Sequence, residues 1–428
     1  MVDEVDKEDK VDKTGNDIQV NSTDGNLLVL PYYALKNGRP YLEYIHGNAA
    51  GQFLIIDRGD LKYCDKISID EGKLAIRPEY RRLVELGVAS SPSDIDGRIG
   101  MDDLFEMIRD WLKTVVAFGS DTELTAASSY AVMTWFIWCY DSVPYLRFIG
   151  DYGTGKTTAL RAMSSICYRS LNISGVMSAA GLFRTVNAVQ GTLMIDEADF
   201  KGSGLESQIV KILNHGYTRG VAIIRLNQWK EPEAFHAFGP KVIAARQEYK
   251  DAALESRCLD VRMTPRSIDG LETLTEGHVK KRASAIVNGL LYWRMKAAIM
   301  EGNWSIYQAG DAGRPRNYEP RIRQLAAPLF GCTPSGWRRD IEQYFEIMNI
   351  KYQEARNNGP EAQVRRILRK ELNAMNHRLT LAQLYEQLTY ACRVKHSSRK
   401  IARIAETVGC EKRHGENGVV LWFREGIV

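Results

Sequence analysis

Residues 150–157 read GDYGTGKT, a glycine loop that closes on a lysine and a threonine. The pattern G-x-x-x-x-G-K-[ST] suits a triphosphate for a physical reason: glycines let backbone N–H groups approach phosphate oxygens, and a helix starting at the lysine turns its positive end towards them. Gly150, Asp151, Tyr152, Gly153, Thr154, Gly155, Lys156, Thr157 and Thr158 are therefore the expected ATP-binding residues. Lys156 is expected to reach the β- and γ-phosphates, and the Thr157 hydroxyl to ligate Mg²⁺. An apolar strand (YLRFI, residues 145–149) precedes the loop and an amphipathic helix over 157–168 follows it, the context such a loop requires.

The second chemical feature is TLMIDEADF, residues 192–200, an apolar strand ending in adjacent carboxylates. Asp196 at the strand end can hold Mg²⁺ through water, while Glu197 on the other face can polarise an attacking water. Alone, such a pair equally describes a strand capped by solvated acids. Placed 40 residues after Lys156, it becomes the second half of a site for phosphoryl transfer to water.

Elements must position these groups, and the 428-residue chain is long enough for two or three domains. Residues 1–25 are polar, hold eight acidic and three basic groups, and have the composition of a disordered tail. With a formal net charge of +4, the remainder carries +9, a mild pointer to a polyanionic partner. Short apolar runs between Gly and Asp punctuation make residues 26–98 a small β-rich domain. Helical patterning over 101–141 leads into the strand that feeds the glycine loop, so an ATPase core spans 99–265. Two long helical segments joined by a Gly/Pro/Asn-rich connection make residues 266–358 a helical lid. The breakers at 357–360 set off a final unit over 361–428.

Seven scattered cysteines without a CxxC pair fit reduced, structural thiols in a cytoplasmic protein. No apolar leader begins the chain, and the most apolar stretch, residues 130–140, is too short for a membrane span.

From about residue 130 to 265 the chain resembles the helicase-type AAA+ ATPases of phages, plasmids and integrated elements, related to superfamily 3 and minichromosome maintenance helicases. The resemblance is carried by PYLRFIGDYGTGKTTALR, SAAGLFRTVNAVQGTLMIDEADF, ILNHGYTRG, FGPKVIAA and ESRCLDVRM. The letters DEAD also invite comparison with the RNA helicases named after them, but there the gap between the two motifs is much longer and a second RecA-like domain follows. The resemblance implies an α/β P-loop core with a lid, assembly into a homo-oligomer, most often a hexamer, and DNA in the central channel. Residues 221–238, which read as a β-hairpin, occupy the place of a pre-sensor hairpin; Trp229 and Lys230 near its tip would stack on bases and meet a phosphate. Arg246 or Gln247 takes the sensor 1 place, where relatives commonly end in Asn. Arg257 takes the place of an arginine finger reaching the neighbouring subunit, with Arg219 as runner-up and a purely structural arginine as the plain alternative. Arg321, or Arg323, in the first turn of a helix opened by Pro320, takes the place of a lid arginine at the γ-phosphate.

Residues 361–428 hold 13 basic and 7 acidic side chains. Three helical patterns followed by a hairpin describe a winged helix-turn-helix. In the third helix Ile401, Ile404, Ala405 and Val408 share one face, Ser398 can cap the start and Gly409 the end. Arg399, Lys400, Arg403 and Thr407 face outward, an arrangement suited to duplex DNA, although winged helices also bind proteins.

These features lead to an ATPase that drives a DNA helicase or translocase in replication of a mobile genetic element. An ATP-switched replication initiator or loader is the alternative, and a regulatory ATP-binding protein a third.

Overall fold

The computed structural model describes residues 27–29, 32–34, 40–45, 52–57, 60–64, 67–69, 72–75, 78–173, 179–196, 204–226, 229–249, 251–265, 270–299, 317–374, 376–392, 397–415 and 418–423. The acidic stretch 1–25 and Glu197 lie outside them, as do most of the Gly/Pro/Asn-rich connection and residues 416–417 of the C-terminal turn. Contacts divide the chain into two units, Met1–Arg316 with Pro320–Tyr344, and Asn317–Glu319 with Phe345–Val428. The division falls inside a helix rather than at the breakers of residues 357–360.

The first unit begins with seven short strands: Leu27–Val29 (β1), Tyr32–Ala34 (β2), Pro40–Ile45 (β3), Gln52–Asp57 (β4), Asp60–Cys64 (β5), Ile67–Ile69 (β6) and Gly72–Ala75 (β7). They form one sheet ordered β2-β3-β4-β5 and another ordered β1-β7-β6. Helix Pro78–Glu85 (α1) follows, then Met101–Val115 (α2) and Asp121–Thr134 (α3). Helix α2 is amphipathic, burying Leu104, Phe105, Ile108 and Leu112. Every residue from Leu124 to Thr134 of α3 is buried, which explains its all-round apolar and small-residue sequence.

The core alternates strands and helices: Tyr145–Ile149 (β8), Lys156–Ile166 (α4), Leu171–Ile173 (β9), Ala179–Val189 (α5), Leu193–Ile195 (β10), Gly204–His215 (α6), Ala222–Leu226 (β11), Pro232–His236 (β12), Lys241–Ala245 (β13), Ala252–Glu255 (α7) and Cys258–Arg262 (β14). Five of these strands make an all-parallel sheet ordered β14-β8-β13-β10-β9. Strands β8, β10 and β13 are buried throughout, as the continuous apolar runs of a sheet covered on both faces require. The chain is thus a mixed α/β protein whose core is a parallel sheet with a P-loop. Strands β11 and β12 stand apart as an antiparallel pair.

Helices Gly277–Ile299 (α8) and Pro320–Phe330 (α9) follow the sheet. Helix α8 packs on α2 and α4, and α9 on α3, so both are fastened to the core. Trp111 Nε1 donates to Val279 O at 3.1 Å and Arg294 Nη1 to Trp135 O at 2.6 Å. Helix Arg338–Asn358 (α10) crosses into the second unit, where Pro360–Asn373 (α11), Arg378–Thr380 (β15), Leu381–Cys392 (α12), Ser398–Val408 (α13), Glu411–Gly415 (β16) and Gly418–Trp422 (β17) surround their own core. The three strands form an antiparallel sheet ordered β15-β17-β16. The N-cap of α13 is Ser397, whose hydroxyl accepts from Lys400 N, and not Ser398; Gly409, at φ 104°, closes the helix.

Candidate nucleotide site

The parallel strands all point their carboxyl ends the same way, and β8 delivers the chain at Gly150 into the glycine loop. Gly153 and Gly155 adopt φ of 75° and 85°, left-handed values that glycine takes without strain. Gly150 is required for a different reason: a Cβ there would lie 2.1 Å from Met263 O. Helix α4 begins at Lys156, aiming its amino-terminal N–H groups into the loop.

Residues 152–158, Asp196 and residues 244–246 line a cleft of about 320 Å³. Lys156 Nζ donates to Asp151 O at 2.5 Å, folded back over the loop. Thr154 Oγ1 donates to the same carbonyl at 2.8 Å. Thr157 Oγ1 lies 3.4 Å from Asp196 Oδ1. Mg²⁺ takes oxygen ligands at about 2.0–2.1 Å in an octahedron and keeps several waters. A hydroxyl and a carboxylate this close, at the mouth of a cleft that also holds a lysine, fit that ion with the Asp196 contact made through water.

Arg246, one residue past β13, lines the same cleft, with its guanidinium carbon 5.9 Å from the Tyr152 ring centroid. Tyr152 is 87 % exposed. The structure therefore gathers Lys156, Thr157, Asp196 and Arg246, which arrive from three different strands.

Arg257 and Arg321 are not in this cleft. Arg257 immediately precedes β14, whose first residue pairs with Tyr145, the start of β8; four strand residues, roughly 13 Å, separate that end from the loop. There Arg257 Nη1 donates to Leu213 O and Asn214 O at 3.1 and 2.8 Å, satisfying the last carbonyls of α6. Arg321 Nε donates to Ser256 O at 3.1 Å, and both guanidiniums lie over the Tyr217 ring, at 4.5 Å for Arg321 and 5.5 Å for Arg257. Arg321 is thus not a lid arginine at its own chain's γ-phosphate, because the packing of α9 carries it to the opposite end of the sheet; Arg323 is exposed to solvent. Arg219 donates to Ile137 O at 2.7 Å.

One charged group in the strand feeding the loop was not singled out by motif or spacing. Arg147 is wholly buried and held by Glu255 and Asp260 through four hydrogen bonds of 2.5–3.0 Å. Burial disfavours its charge, and the two carboxylates more than offset this, raising its pKa. An arginine inside YLRFI was the available signal.

Trp229 is 69 % exposed and Lys230 has φ 65°, at the turn joining β11 to β12. Ile224 and Leu226 are 70 % and 67 % exposed on the same hairpin. In the second unit Arg399, Lys400 and Arg403 all lie exposed on α13, opposite Ile401, Ala405 and Val408. No described helix is long and apolar enough to cross a membrane.

No family model and no curated protein matches the chain. Among solved structures, the apo A form of the NrS-1 C-terminal region is similar over 89% of this chain and 96% of that one, with 10% identity and a TM-score of 0.35. The JCV helicase is similar over 64% of this chain and 71% of that one, with 13% identity and a TM-score of 0.24. Its inhibitor-bound form aligns over 59% and 69%, with 14% identity and a TM-score of 0.21. Superpositions this loose leave the chain to be understood from its own motifs and geometry.

Proposed function

We propose that this chain is an ATP-driven DNA helicase or translocase that works as a homo-oligomeric ring, a hexamer, in replication of a mobile genetic element. The observation that carries the reading is the division of the phosphate-handling groups between the two ends of one sheet. Lys156, Thr157, Asp196 and Arg246 gather at the carboxyl end, while Arg257 sits at the amino end, out of reach of its own loop. If Arg257 acts as a finger rather than only holding the end of α6, it can meet a γ-phosphate only in a neighbouring copy, and each site would then be a shared one.

In this reading Lys156 leaves the Asp151 carbonyl for the β- and γ-phosphates, and Arg246 turns from Tyr152 towards the γ-phosphate. Glu197 orients the attacking water, and Arg257 of the neighbour steadies the charge that develops on the transferred phosphoryl group. Mg²⁺, held by Thr157 and through water by Asp196, supplies charge neutralisation when bound. The exposed hairpin projects Trp229 and Lys230 to a single strand in the channel. The second unit serves as a winged helix with Arg399, Lys400 and Arg403 on duplex DNA.

The test is unwinding of a forked duplex. Wild type unwinds it and Lys156→Ala does not; an assembled oligomer whose ATPase no nucleic acid stimulates would sink the reading. If Lys230→Ala leaves activity intact while Arg399→Ala with Arg403→Ala abolishes DNA binding, an ATP-switched initiator replaces it.

A further inference from the structure

The sheet of the second unit has two unlike faces. Leu379 and Leu421 point into a core shared with Leu384, Leu388, Ile401 and Ala405. Side chains alternate along a strand. Arg378 and Trp422, next to those leucines, therefore lie on the other face, together with Val420 and with Arg413 directly across from it. Strand β17 runs down the middle, so Arg378 and Arg413 approach Trp422 from opposite sides. Their guanidinium carbons lie over the ring, 6.0 and 5.0 Å from its centroid, and Glu411 is directly across from Trp422 on the same face. Both arginines are exposed and the indole is half-buried. Arg413 also meets Glu411 at 3.0 Å, an exposed pair that holds it only weakly.

We propose that this outer sheet face is a contact surface for single-stranded DNA, with Trp422 stacking on an unpaired base and Arg378 and Arg413 meeting the phosphates on either side. With the two guanidiniums moved off the ring onto phosphates, the indole offers a π-face for the base and the arginines positive charge for the backbone. A paired base inside a duplex has both faces covered by its neighbours and cannot use it. The surface is separate from the basic side of α13. That helix and the sheet bury their apolar sides in the same core, so their outer sides face away from each other. One unit thus has room for duplex on one side and a separated strand on the other.

The inference rests on the nucleic-acid reading above, and the experiment separates the two. The full chain, in a Trp229→Ala, Lys230→Ala background that removes the hairpin contact, is titrated with fluorescein-labelled oligothymidine and with a duplex of equal length over a range of salt. Trp422→Leu, which keeps an apolar group against the sheet, weakens oligothymidine binding about 5-fold or more without changing the salt slope. Arg378→Ala with Arg413→Ala weakens it and lowers the slope by roughly 1.4, the value for two lost phosphate contacts on a single strand. Duplex binding is unchanged in both. If folded variants bind oligothymidine as their background does, the surface is not a DNA site, whatever becomes of the helicase reading. If neither wild type nor background binds any oligonucleotide, both fall.

Discussion

Thr157 Oγ1 and Asp196 Oδ1 stand 3.4 Å apart although 39 positions separate them in the chain. The contact exists because β8 and β10 both flank β13 and end at the same edge of the sheet, one running into the glycine loop and the other stopping at the carboxylate. The nucleotide reading proposed for this protein depends on that edge.

Gly150→Ala tests how tightly the loop is seated. The added methyl would fall on Met263 O at 2.1 Å, and backbone cannot swing aside as a side chain can. The expected outcome is loss of ATP binding with the rest of the fold kept, read by a fluorescent nucleotide analogue alongside circular dichroism. Normal nucleotide affinity would show that the backbone at Met263 yields at this point.

Arg257→Ala is expected to lower turnover by roughly 10³-fold while nucleotide still binds. It also removes the hydrogen bonds to Leu213 O and Asn214 O, a stability loss of about 1 kcal/mol. Mixing Arg257→Ala with Lys156→Ala chains separates the roles. Sites pairing an intact loop with an intact arginine regain activity if Arg257 acts on a neighbour, and none does if it acts only within its own chain.

Glu255→Ala strips one of two carboxylates from a fully buried guanidinium. Arg147 keeps Asp260, so the loss falls below the about 3–5 kcal/mol of a wholly broken buried pair, and a clear drop in the urea midpoint is expected. Arg147→Leu with Glu255→Ala is expected to lie lower still, because Asp260 then keeps its charge with no guanidinium beside it, whereas Glu255→Ala alone leaves the Arg147–Asp260 pair in place. Equal midpoints for the single and double variants would refute this account of the strand.

Lys241 supplies a pH signature. Its ammonium is buried and donates to Gly216 O, Ala237 O and Gly239 O at 2.7–3.1 Å, with burial pushing its pKa down to about 7 from 10.5. Between those values the unfolded chain binds the proton and the native one releases it, so stability rises with pH across that window and is flat below pH 7 in this contribution. The slope is at most about 1.4 kcal/mol per pH unit. Denaturation of wild type and Lys241→Met at successive pH values isolates it, because other titrations are common to both; parallel curves would show that the three carbonyls keep the lysine charged.

The lining of the candidate nucleotide cleft is legible along the chain where its requirements are local. A glycine loop between an apolar strand and a helix places Lys156 and Thr157 through backbone geometry alone, and Asp196 is marked by closing an apolar run. The hairpin was legible for the same reason, as two short arms around a turn. What motif and spacing did not disclose depends on strand order and helix packing. Arg321 follows a helix-opening proline, yet α9 carries it to Ser256 instead of the loop. Arg147 reads as a misfit in YLRFI until α7 and β14 bring Glu255 and Asp260 to it from more than a hundred residues away. Residue types and spacing mark Lys156, Thr157 and Asp196 as groups suited to phosphate; which of them share an edge of the sheet follows from the fold, because it depends on non-local pairing that no short pattern encodes.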